Sequence, residues 1–308
     1  MTRSRPHHPA RQGRSSEDFD PRTRRVAIIA GNGSMPGEIY TAVRTDGPAP
    51  LLVGVRGEVD SGLAKSCDRV LSYGQLGSLF ELLDKHGVRH VVFAGGIVKR
   101  PDFNALKPDL ATLRELPNLL KITLGGDDSV LGKIATFLAK RNIEVVGVKD
   151  VAPGLLAEQG QIAGPPMRGR MPKMLARSLQ LAWKGARAVG SLDAGQGCIV
   201  EDGRVVALEG AEGSDAMIAR LGELRRLKRL NPGPDWSVLV KVAKPNQDMR
   251  ADLPAIGPDT VRAAHASGLN YLAVEAGNAV VLDRSELTKL ARQRGIRVAG
   301  FTDESLPQ

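Results

Sequence analysis

The chain has 308 residues, about twice a common domain length, so two domains are expected. Hydrophobic residues at 42% and charged residues at 25% give ordinary globular composition, and two widely separated cysteines exclude a disulfide framework or a CxxC zinc site. Aromatics at 4% argue against a nucleic-acid reader built on base stacking, and no apolar run is long enough to span a bilayer. The formal charge is +9, but residues 1–25 hold seven arginines against three acidic residues, which leaves about +5 for the rest. A mildly basic folded part suits anionic ligands without demanding DNA. Residues 1–23 lack an apolar core of a secretory signal and read as a disordered basic tail.

From residue 24 to 150 the text alternates short apolar runs with helical patterns. Arg25–Ala30, Leu51–Val55, Arg69–Leu71, His90–Ala94 and Glu144–Val148 read as strands, with helices between them, for example over Leu79–Lys85 and Val130–Arg141. Pro36 suits the first turn of a helix after the first strand. Continuously apolar strands alternating with helices predict a parallel sheet covered on both faces, a Rossmann-like α/β domain.

Residues 151–168 are punctuated by Ala152-Pro-Gly154, Gly160 and Gly164-Pro-Pro166 and read as a linker. Residues 169–308 then predict a distinct α+β domain. Met171–Val189 has helical periodicity and a basic stripe of Lys173, Arg177, Lys184 and Arg187, which could lie on an anionic membrane surface or simply be a solvated face. Gly197–Leu208 reads as a hairpin turning at Asp202-Gly203. Further strands are expected at Ser237–Val242, Tyr271–Val274 and Ala279–Leu282, and helices at Ala216–Arg226, Asp259–Ser267 and Ser285–Arg294.

Chemistry-bearing residues fall into two sets. Gly31-Asn32-Gly33-Ser34 and Gly95-Gly96 each end a strand, where bare backbone can approach a phosphate and a helix start offers free N–H groups. Gly125-Gly126-Asp127-Asp128 precedes a helix, which either carboxylate could cap. The first loop is not a complete dinucleotide fingerprint, because Pro36 stands at the third glycine position and no acidic residue clearly closes the second strand. The second set lies after residue 190: Asp193 to Gln196, Glu209 to Asp215, and Lys241 to Arg250. Attack on a diphosphate needs carboxylates for a divalent cation and cations or amides for phosphate oxygens. These loops hold both, with Gln196, Ser214, Lys241, Lys244 and Gln247 as ligand-binding candidates and Asp215 and Asp248 as metal-binding ones. Asp215 taken alone could equally cap the following helix. No HExxH or GxSxG pattern supports a zinc protease or serine hydrolase.

The motifs Gly31-Asn-Gly-Ser-Met-Pro36, Phe93-Ala-Gly-Gly-Ile-Val-Lys-Arg-Pro101, Asp150-Val-Ala-Pro-Gly-Leu-Leu-Ala157 and Asp193-Ala-Gly-Gln196 resemble those of the LpxI family. Glu209-Gly-Ala-Glu-Gly-Ser-Asp-Ala-Met217, Val240-Lys-Val-Ala-Lys-Pro-Asn-Gln-Asp-Met-Arg250, Leu253–Thr260 and Val274-Glu-Ala-Gly277 extend the likeness in order to about residue 301. The resemblance implies a Rossmann-like N-terminal domain, a distinct C-terminal domain, and lipid bound between them. It implies Mg²⁺- (or Mn²⁺-) dependent hydrolysis of UDP-2,3-diacylglucosamine to lipid X and UMP by water attacking the β-phosphorus, in the lipid A synthesis of Gram-negative bacteria. Asp215 matches the key acid of the family's Glu-Gly-Thr-Asp motif, with Ser214 in place of threonine. The implied partners are a UDP-activated lipid and the cytoplasmic face of the inner membrane, with peripheral attachment and a homodimer compatible with it and no nucleic acid. The rival reading is a non-catalytic nucleotide-binding or sensor protein of the same shape. Gly197-Cys198 stands where the family would carry larger apolar residues, which raises a question of local packing.

Overall fold

A computed structural model describes residues 19–97, 108–110, 112–114, 127–230, 233–245, 248–250 and 253–307. The glycine pair Gly125-Gly126, Gln247 and most of the tail lie outside the described residues.

The first domain is built on β1 (Val26–Ala30), β2 (Leu51–Val55), β3 (Arg69–Leu71), β4 (His90–Ala94) and β5 (Glu144–Val145), all parallel, in the order β3-β2-β1-β4-β5. Among the described residues its helices include α1 (Met35–Asp46), α2 (Ser61–Ala64), α3 (Leu76–Lys85), α4 (Asp127–Ala139) and α5 (Val148–Val151). Alternation along β1 explains the two layers. Val26, Ile28 and Ala30 pack with Ile39 and Val43 of α1, whereas Ala27 faces Leu83 of α3 and Phe137 and Leu138 of α4. The strand order reverses between β1 and β4, the place where such sheets open a crevice at their carboxyl ends.

The second domain has β6 (Gly160–Ala163), β7 (Gly197–Glu201), β8 (Arg204–Leu208), β9 (Ser237–Lys241), β11 (Tyr271–Glu275) and β13 (Arg297–Phe301) in the order β6-β13-β11-β9-β7-β8. The central β9, β11 and β13 are parallel, and β6 and β7 run against them. On one face lies α6 (Lys173–Ser191), whose Leu175, Leu179, Ala182 and Ala186 meet Cys198, Val200, Val238 and Val240. On the other lie α7 (Gly213–Arg226), α8 (Pro258–Ala266) and α9 (Arg284–Arg294), packed on Ile199, Leu239 and Leu272. The β7–β8 hairpin turns at Asp202 (φ 43°) and Gly203 (φ 78°), the two positive φ values of a type I′ turn.

The small parallel pair β10 (Ala255–Ile256) and β12 (Val280–Val281) fastens the domains together. Leu253 and Val280 share a core with Val26, Ile28 and Leu52 of the first domain. Across the same seam the Asp283 amide donates to both Glu38 carboxylate oxygens at 2.9 and 3.0 Å.

Four differences from the sequence expectations have local causes. The tail is not featureless up to residue 23: Phe19 stacks on His90 with ring centroids 4.5 Å apart, and Pro21 packs against Gly47. The fifth strand stops at Val145, because Gly147 starts α5 with its amide bonded to Asp150 Oδ2 at 2.8 Å. The stretch read as a linker contains β6, which pairs with β13, and Arg187 leaves the basic stripe of α6 to turn inward. Gly197-Cys198 also has a packing reason. A Cβ on Gly197 would lie 2.5 Å from Glu209 Oε2, and Cys198 is fully buried close under Gly185 of α6.

Candidate active site

The glycines after β1 and β4 serve each other first. Gly31 N donates to Ala94 O (2.8 Å), and Asn32 and Gly96 bond reciprocally through their amides and carbonyls (2.9 and 3.1 Å). A Cβ on Gly31 would collide with the Gly96 carbonyl oxygen, and one on Gly95, at φ 83°, with the Asn32 carbonyl. The close approach that glycine permits here is therefore between two loops. Gly33 N donates to Asp60 Oδ2 at 3.2 Å. The amides of Gly31, Asn32, Gly33 and Gly96 thus all have protein acceptors, and Ser34 stands exposed at the start of α1 with no side-chain cap bond.

The second sheet gathers the other set. Because β7 runs antiparallel to β9, its first residue Gly197 lies beside Lys241, the last of β9. The loop before β7 carries Gln196, and the loop leaving β8 carries Glu209, so both arrive at that one edge, where α7 also begins. Lys241 is 7% exposed and donates to Ala255 O at 2.9 Å; Lys244 is paired with Asp193 at 2.7 Å. Glu209 is 6% exposed and accepts from Ser214 Oγ through Oε1 at 3.0 Å. Its Oε2, and Gln196 Oε1, are buried oxygens without a hydrogen-bond partner among the described residues. Asp215 is exposed in the first turn of α7, with no hydrogen bond or ion pair among the described residues. It does not cap that helix: Glu212 holds the cap position, without a side-chain cap bond. The structure therefore brings together Gln196, Ser214, Asp215, Lys241 and Lys244, and adds Glu209.

Asp248 is engaged elsewhere. Arg250 donates to both of its carboxylate oxygens, at 2.8 and 2.6 Å, and these side-chain bonds hold its carboxyl below the ordinary range. A cavity of about 460 Å³ beside α4 and β5 has Arg250 in its wall and none of the expected site residues.

Two residues outside the expected site set, Glu275 and the stripe residue Arg187, hold the edge in place. Glu275, ending β11 and 7% exposed, accepts the Ala243 amide at 2.9 Å, while Arg187 donates to Ala243 O at 3.2 Å and to Glu275 Oε1 at 3.0 Å. The backbone between Lys241 and Lys244 is gripped at both its N–H and its C=O. A charged residue closing an apolar strand, and an arginine one turn after the inward Trp183, were the available signals.

The implied Mg²⁺ meets a suitable donor set. Glu209 and Asp215 supply hard oxygen donors, and Glu209 keeps one buried oxygen unsatisfied. Among the described residues no three His, Cys, Asp or Glu side chains converge on one point.

A doubly wound parallel sheet joined to a mixed sheet, with carboxylate, amide and ammonium groups collected at one strand edge, defines a two-domain α/β protein with a polar strand-end site. The LpxI N-terminal domain matches residues 25–155 and the LpxI C-terminal domain residues 163–299, and the chain belongs to the LpxI family. It is 33% identical over 284 residues to the UDP-2,3-diacylglucosamine pyrophosphatase LpxI of Caulobacter vibrioides, across 92% of this chain and 100% of that protein.

Proposed function

We propose that this chain hydrolyses the diphosphate of UDP-2,3-diacylglucosamine to 2,3-diacylglucosamine 1-phosphate and UMP, with Mg²⁺ or Mn²⁺ as cofactor. The observation that carries the reading is the collection of Gln196, Glu209, Ser214, Asp215, Lys241 and Lys244 at one edge of the second sheet, in a chain similar over 92% of its length to a relative of that printed activity.

The roles follow from the chemistry of the groups. Lys241 and Lys244, each steered by a fixed acceptor, bring positive charge to phosphoryl oxygens as negative charge develops there. Ser214, tied to Glu209, fixes the first turn of α7 and so the direction of Asp215. Asp215 orients the attacking water or holds the cation; Glu209 is the second carboxylate within reach of the same turn. The bound cation would supply Lewis-acid charge to the diphosphate. The new P–O bond forms from water to the β-phosphorus, and UMP leaves with the bridging oxygen. The lipid product and substrate place the enzyme at the cytoplasmic face of the inner membrane, attached peripherally, with a homodimer compatible with this reading. Among the described residues no helix is long and apolar enough to cross a membrane.

Mass spectrometry after incubation with UDP-2,3-diacylglucosamine and Mg²⁺ should find lipid X and UMP in equal amounts, and ¹⁸O from labelled water should appear in the lipid phosphate. Full turnover in excess chelator would contradict the metal requirement, label in UMP the site of attack, and absence of both products the reading itself.

A further inference from the structure

We propose that Arg187 is a positioning residue for Lys244, and that the turn after β13 shares in this through Asp303. This rests on the functional reading above, in which Lys244 meets phosphoryl oxygens. The sheet carries its register only as far as Lys241, which lies between Gly197 of β7 and Val274 of β11. Past that point the chain is steered residue by residue. Val242 N donates to Gln196 O at 3.0 Å, and Ala243 N donates to Glu275 Oε2 at 2.9 Å. Ala243 O accepts from Arg187 Nη1 at 3.2 Å. Lys244 is the next residue, already outside the ladder, and its ammonium reaches Asp193 at 2.7 Å.

Arg187 ties four parts of the domain at this place: its own helix α6, the chain leaving β9, the end of β11 and the turn after β13. Its Nη2 donates to Glu275 Oε1 at 3.0 Å and to Asp303 Oδ2 at 3.3 Å. Asp303 is held in turn by Trp183 Nε1, which donates to its Oδ1 at 2.7 Å. Asn278 Nδ2 donates to Glu275 Oε1 at 2.8 Å, so both oxygens of this buried carboxylate are engaged within the protein. Ion pairs taken out of water add little stability, because desolvation offsets the attraction; what this one fixes is geometry. Ala243 is gripped by its N–H and its C=O at once, which sets the direction in which Lys244 leaves. An ammonium that stabilises developing phosphoryl charge must already stand in place, and a displacement of about 1 Å costs on the order of 100-fold in rate. Lys241 does not need this support, since two neighbouring strands hold it. The effect of Arg187 on turnover therefore runs through Lys244.

The test is a double-mutant cycle on the full chain. For wild type, R187M, K244A and R187M/K244A, kcat, KM and Tm are measured with UDP-2,3-diacylglucosamine and Mg²⁺. R187M should lower kcat roughly 10-fold or more with KM within about threefold, whereas in the K244A background it should lower kcat by less than about twofold. R187K keeps the charge beside Glu275 but lacks the fork that reaches Ala243 and Glu275 together, so it should fold and fall between wild type and R187M in kcat. Should R187M fail to fold, R187K carries the same cycle. Equal fold-losses of kcat in the two backgrounds, or a lower Tm with kcat of the folded protein unchanged, would make Arg187 a structural residue and overturn the proposal. Wild-type kcat in K244A would overturn it too, while leaving the hydrolase reading standing. Absence of turnover in the wild-type protein overturns both.

Discussion

The two sheets end in different kinds of surface. At the edge of the first, glycines let two loops touch, and the bonds run from backbone to backbone: Gly31 to Ala94, Asn32 to Gly96. At the edge of the second, side chains do the bonding: Lys241 to Ala255, Lys244 to Asp193, Ser214 to Glu209, with Glu275 and Arg187 gripping Ala243. Both edges looked similar in sequence, as short polar loops rich in glycine. A glycine that avoids a collision contributes shape, whereas a carboxylate held beside ammonium groups contributes chemistry. The first edge is thus closed by backbone contacts, and the second gathers the charged and amide side chains on which the proposed cleavage of a phosphoanhydride rests.

Substitutions at the two edges should fail in different ways. The largest effect is expected for Asp215→Asn, which should lower kcat at least 100-fold, about 2.7 kcal/mol of barrier, while melting close to wild type because the side chain is exposed. A variant that kept more than about a tenth of its rate, a threshold of roughly 1.4 kcal/mol, would move the chemistry elsewhere. Gly31→Ala should show the opposite pattern. Its Cβ meets the Gly96 carbonyl, and overpacking of this kind costs about 1–3 kcal/mol, several degrees of Tm, with kcat of the folded fraction preserved. An unchanged Tm would mean the two loops are not tightly docked.

A smaller, pH-dependent effect concerns His90, far from either edge. Burial against Phe19 is the main cause that lowers its pKa from 6.5, with nearby Arg24 in the same direction and Glu144, at 3.7 Å, opposing. The unfolded chain therefore takes up the proton more readily than the folded one. Stability should be complete above pH 6.5 and fall as the solution is acidified from there toward the folded-state pKa. Thermal melts from pH 8 to 5 should show a shallower acid-side decline for His90→Gln than for wild type; parallel curves would remove His90 as the cause.

Much of the first sheet was legible because its strands are buried on both faces, which leaves unbroken apolar runs such as Val26–Ala30 and Leu51–Val55. The elements that escaped are short and held by distant partners. β6 has four residues and pairs with β13, itself not among the expected strands and more than 130 positions away, while β10 has two residues and pairs with the expected strand β12. No local pattern encodes such pairings. The residue types of the second edge were readable as a density of acids, amides and lysines between strands. Which of them stand free for ligand was not, since Arg250 neutralises Asp248 only through the geometry of a turn. The inward turn of Arg187 out of its expected stripe and the role of Glu275 were hidden for the same reason: each acts through a contact with backbone at least 32 positions away.

The division of labour between the edges is tested most directly by titrating UMP into Asp215→Asn in a calorimeter and measuring its turnover of UDP-2,3-diacylglucosamine in parallel. The account predicts UMP affinity within about twofold of wild type, alongside a loss of turnover of at least roughly 100-fold. If UMP affinity fell with the rate, nucleotide binding and bond cleavage would share one edge, and the division drawn here would be wrong.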